Sequence, residues 1–67
     1  MTALLQYSAV RLKEAMPDWG LPAGITGTVV EVFSEPQEGY EVEFDEPYNQ
    51  ATYTLRLEDL QLVESEA

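Results

Sequence analysis

GTVVEVFSEPQEGYEVEF, residues 27–44, decides the fold. In its second half, YEVEF, Tyr40, Val42 and Phe44 alternate with Glu41 and Glu43, the period-two signature of a strand with one buried and one wet face. In its first half, TVVEVF, the paired valines Val29 and Val30 break the alternation and predict a bulge that bends the strand. The intervening SEPQEG, residues 34–39, is a polar turn. If Val32 faces Val42 across this hairpin, Val30 faces Phe44 on the buried side and Glu31 faces Glu43 outside.

Upstream, Val10 and Leu12 alternate with Arg11 and Lys13, which predicts a first strand beginning near Ser8. AMPDWGLPAG, residues 15–24, is too rich in Pro and Gly to continue a regular element and is expected as a long ordered loop, with Met16, Trp19 and Leu21 tucked onto the core. Gly24 suits a positive-φ turn and Gly27 a close approach where the second strand starts, so neither is read as a phosphate-binding loop. Downstream, DEPYNQ, residues 45–50, carries turn formers, and ATYTLR, residues 51–56, is a fourth strand with Ala51, Tyr53 and Leu55 on one face. LEDL, residues 57–60, suits a single 3₁₀ turn, residues 61–63 a brief closing strand, and ESEA, residues 64–67, a frayed tail. The expected architecture is all-β: an SH3-like small five-stranded barrel with a long first loop and a 3₁₀ turn before the last strand, ordered over about residues 8–63 of one domain.

Composition sets the limits. A chain of 67 residues buries only about 60% of its unfolded surface, enough for one small core. Forty-five per cent apolar residues argue for folding despite the charge. With neither cysteine nor histidine, disulfides, zinc knuckles and thiolate or imidazole catalysis are excluded. Residues 1–7 contain Leu4 and Leu5 but neither a basic region nor a long apolar run, so no secretory signal or membrane span is expected and a cytoplasmic location is. The net charge of −10 is one-sided. Arg11 and Lys13 balance Glu14 and Asp18 up to residue 30, whereas beyond it eleven acids meet only Arg56. Such a field repels nucleic acid and anionic lipid, and it points to a basic protein partner.

The residues LKEAMPDWGLPAGITGTVVEVF (12–33), YEVEF (40–44) and TLRLEDLQLV (54–63) resemble a bacterial family known as domain of unknown function 4926. Pro17 ahead of Gly20-Leu21, the Gly24 and Gly27 pair leading into Thr28-Val29-Val30, the Tyr-x-Val-Glu-Phe strand and Leu60 carry the likeness. It implies an SH3-like fold, no established activity, and toxin-like neighbours that would make the protein an antitoxin-like or immunity-like binder. Trp19, where a smaller aromatic is expected, and the high acidity depart from the pattern.

The leading candidate site is the acidic group of Glu31, Glu41, Glu43, Asp45 and Glu46, with Glu35 and Glu38 nearby. Like charges facing each other across a sheet are destabilising, and a basic partner would relieve them. The alternative is a charged face that only keeps the protein soluble. Trp19 and Tyr48, with Glu14 and Asp18, form a second constellation that suits either a groove for a polyproline II peptide or, more simply, an aromatic plug over one end of the core. Tyr7, Tyr40 and Tyr53 are expected half-buried with hydroxyls at the rim, and Arg56 paired with Glu58 or Asp59. No calcium loop, catalytic carboxylate pair, metal or cofactor site is expected, and the protein is read as no enzyme. The sequence therefore predicts a non-catalytic acidic protein-protein interaction module. A structural accessory subunit docking through an apolar rim around Trp19 is the alternative, and pairing of copies through the edge at residues 61–63 stays open.

Overall fold

A computed structural model describes residues 4–35 and 37–63. Five strands, β1 (Ala9–Leu12), β2 (Thr26–Phe33), β3 (Gly39–Phe44), β4 (Tyr53–Leu55) and β5 (Leu60–Leu62), form one antiparallel sheet in the order β4-β3-β2-β1-β5. Two 3₁₀ turns, Pro17–Trp19 and Leu57–Asp59, complete the regular structure, the second in its expected place ahead of the last strand. β4 and β5 are the two edges, and among the described residues the sheet does not close into a barrel. No helix among them is long and apolar enough to cross a membrane.

The predicted bulge lies between Val29 and Glu31, leaving Val30 without a partner on β3. It shifts the hairpin away from the expected register. Val29, not Val32, stands opposite Val42; Gly27, not Val30, opposite Phe44; and Glu31 opposite Glu41, with Thr28 opposite Glu43. The reason is steric. A methyl group on Gly27 would lie 2.6 Å from the Glu43 carbonyl oxygen and 2.8 Å from the Phe44 Cα, so only glycine lets β2 approach β3 there.

The core lies on the inner side of the sheet and comprises Val10, Leu12, Val29, Tyr40, Val42, Phe44, Leu55 and Leu60, joined by Leu4 and Leu21. Burying a large apolar side chain contributes about 1.5–3 kcal/mol, so a few such groups decide the stability of so small a domain. Leu4, at 4% exposure, lies ahead of the expected start of the ordered core.

The loop between β1 and β2 is fixed at its base, where the Leu12 N–H donates to the Ile25 carbonyl (2.9 Å) and the Gly24 N–H to the Leu12 carbonyl (2.8 Å). Gly24 holds φ +88°, the positive value expected of it. Met16 and Leu21 exchange backbone hydrogen bonds of 2.8 and 3.1 Å around the first 3₁₀ turn, which presents Leu21 to the core.

Two side-chain expectations are corrected. Tyr7 is 72% exposed rather than half-buried, and Tyr40 is fully buried, while Tyr53 is half-buried as expected. Arg56 and Asp59 meet through the main chain: the Arg56 N–H donates to Asp59 Oδ2 (3.0 Å), which ties off the second 3₁₀ turn. The tail at residues 64–67 lies outside the described residues.

Candidate functional site

Alternation along β2 and β3 sends Tyr40, Val42 and Phe44 inward and Glu41 and Glu43 outward. Beyond the bulge, Glu31 and Phe33 face the same outer side, Glu31 against Glu41 and Phe33 against Gly39. Asp45 follows β3 and accepts a 2.6 Å hydrogen bond from the Thr26 hydroxyl. Four of the five acids singled out in the sequence thus belong to one face of the β2–β3 ladder. The fifth, Glu46, is exposed in the connection to β4. The base nearest in register, Arg11, stands opposite Thr26 on β1, one strand removed from β3.

The charge on this face is partly answered from within. Thr54, opposite Glu41 on β4, donates its hydroxyl to Glu41 Oε1 (2.6 Å), and the Thr52 hydroxyl donates to Oε2. These donors, Thr52 first, hold the Glu41 carboxyl below its usual range, against the smaller opposing effect of partial burial. Sequence reasoning missed this pairing, for which the alternation of Thr52 and Thr54 in ATYTLR was the available signal. Phe33, an exposed aromatic on the acidic face, was missed as well.

Tyr40 is the polar exception in the core. Its hydroxyl donates to Glu38 Oε2 (2.9 Å) and accepts from the Leu4 N–H (3.4 Å). Burial, and then the Glu38 carboxylate, push its pKa up, with the Leu4 contact opposing them.

Trp19 stacks on Tyr53 with ring centroids 5.1 Å apart, and Tyr53 in turn tilts against Phe44 at 6.1 Å. Tyr53 faces inward opposite buried Val42, so Trp19 covers one end of the core on the side away from Glu31, Glu41 and Glu43. Tyr48 packs against the core and donates its N–H to the Asp45 carbonyl (2.9 Å). The residues expected to bind a partner therefore form two separate surfaces. No group of three or more Asp and Glu among the described residues is placed to hold a metal ion.

The family model described as domain of unknown function (DUF4926) matches residues 6–63, and the chain belongs to that family. No curated protein and no solved structure matches it.

Proposed function

We propose that this protein is a non-catalytic interaction module, built on an SH3-like framework, that docks a basic protein surface through the outer face of its β2–β3 ladder, as an antitoxin-like binder would. The strand order β4-β3-β2-β1-β5 and the 3₁₀ turn leading into β5 support the framework, with the β4 and β5 edges left open. The observation that carries the functional reading is the register. It sets Glu31 directly against Glu41 with Glu43 and Asp45 on the same side, and threonine hydroxyls rather than cations answer two of the four. Charge of this kind steers a cationic partner at rates that fall with salt.

The test is an amide chemical-shift titration with a defined Lys- and Arg-rich peptide, at low and at high salt. Shifts gathered on β2, β3 and Thr54, and abolished by salt and by the double change Glu31→Gln with Glu43→Gln, are the expected result. Shifts spread evenly over the chain, or unmoved by the double change, defeat the proposal.

One observation favours a second reading. Trp19 keeps 46% of its surface exposed although its ring is stacked on Tyr53, a shape suited to an accessory subunit held by an apolar rim. In that case Trp19→Ala abolishes assembly with the partner and the glutamate changes leave it intact.

A further inference from the structure

Phe33 shares the outer face of the β2–β3 ladder with the acids but not their chemistry. It stands opposite Gly39, one row beyond the pair Glu31 and Glu41, and keeps 40% of its surface exposed. Gly39 is buried and brings no side chain to that row. The fold does not require glycine there. Its φ lies outside the left-handed region, and a methyl group would meet Thr54 Cγ2 at 3.5 Å and the Leu55 carbonyl oxygen at 3.8 Å, which are ordinary contacts. Gly27 is the contrast, where the same addition would come within 2.6 Å of backbone. A strand glycine that neither conformation nor close approach demands gives up packing, and here it leaves space. The result is an open notch of about 400 Å³, with Phe33 and Thr54 as walls, Gly39 at the floor and Arg56 bordering the β4 side.

We propose that this notch seats an apolar side chain of the basic partner, so that the face recognises an extended segment in which one bulky apolar residue is followed at alternate positions by cations. The inference rests on the docking of a cationic surface to Glu31, Glu41 and Glu43, and it adds the contact that fixes where that surface sits. Spacing and charge select the occupant. Residues 39, 41 and 43 of β3 share the outer face at intervals of about 6.8 Å, the same repeat that an extended partner offers with every second side chain. An apolar group over Gly39 therefore brings the next two side chains on its own face over Glu41, with Glu31 beside it, and over Glu43. Arg56 turns cations away on the β4 side, so they fit only along β3 toward those acids. An apolar anchor ringed by polar groups is where interface energy concentrates, whereas exposed ion pairs add little by themselves.

Two peptides of equal length and charge provide the test. In one, a leucine is followed by lysines at the second and fourth positions beyond it, with serines between; in the other, serine replaces the leucine. Calorimetry at low salt measures their affinities, and amide chemical shifts locate the contact. The leucine peptide should bind the parent about tenfold more tightly, and it alone should move the Phe33 and Gly39 amides. Phe33→Ser takes away a wall and Gly39→Val fills the floor. Each should bring the leucine peptide down to the affinity of the serine peptide, whose salt-sensitive binding stays unchanged. Equal affinity of the two peptides for the parent, or a preference for leucine that survives either change, overturns the notch and leaves the acidic face standing, since the serine peptide still binds there; binding of neither peptide defeats both.

Discussion

On the inner side of β3, Tyr40, Val42 and Phe44 are buried against Val29, Leu55 and the glycine at position 27; on the outer side of the same strand, Glu41 and Glu43 look across at Glu31 and Thr28. Alternate residues of one strand thus meet opposite demands. The inner set is complete within the chain, down to the Tyr40 hydroxyl, which has a donor and an acceptor. The outer set brings like charges into direct opposition, and among the described residues threonine hydroxyls are what offset them. The difference shows what holds so small a domain together: packing carries the fold, and the charged face adds little to it.

The comparison breaks most sharply at the inner side. Phe44→Ala empties the centre of the core at a cost of about 3–5 kcal/mol, comparable with the whole stability of so small a domain. No cooperative thermal transition by circular dichroism is expected, and a near-native melt would show that the core does not depend on this ring. Next comes the close approach of β2 to β3. Gly27→Ala forces a methyl group against the Glu43 carbonyl and the Phe44 backbone, and a loss of about 1–3 kcal/mol is expected from the urea midpoint.

The outer side should respond with the opposite sign and a smaller size. Glu31→Thr removes the charge facing Glu41, and a gain of a few tenths to about 1 kcal/mol is expected at low salt, shrinking as salt screens the pair. The same change should weaken capture of a basic peptide, so stability and binding move in opposite directions.

The smallest effect sharpens the account of Glu41. Its folded-state pKa is lowered, so its contribution is present above the unfolded-state value of 4.5 and lost as pH falls through the folded value. Thr54→Val, which removes one of the two donors, should therefore reduce stability near neutral pH and converge on the parent in acid. A carboxyl titration by NMR should show Glu41 moving back toward the ordinary range, and a difference in stability that persisted below the folded value would assign the effect to packing of Thr54 instead.

Much of the fold is legible in the sequence because period-two alternation is local. YEVEF could only be a strand with Tyr40, Val42 and Phe44 inward, and the bulge at the paired valines was visible for the same reason. The partners across the hairpin were not, since Val29, Val30 and Val32 are interchangeable in hydrophobicity. The candidate site shares that limit: the alternation places Glu31, Glu41 and Glu43 on the outer side of one strand pair, but which glutamates oppose each other follows from the register. Leu4 gave no periodic signal, being one apolar residue beyond a turn.

The chain by itself determined the all-β class, the order and approximate places of the strands, the 3₁₀ turn before β5, the positive φ of Gly24 and the one-sided charge, all of which rest on neighbours within a few residues. Tertiary structure alone decided that Glu31 meets Glu41, that Trp19 lies on Tyr53 away from the acids, that Thr52 and Thr54 hold Glu41, and that among the described residues the sheet stays open between β4 and β5. Those outcomes depend on where a backbone can approach without a side chain in the way, a condition set by residues distant in sequence and met only once the strands are packed together.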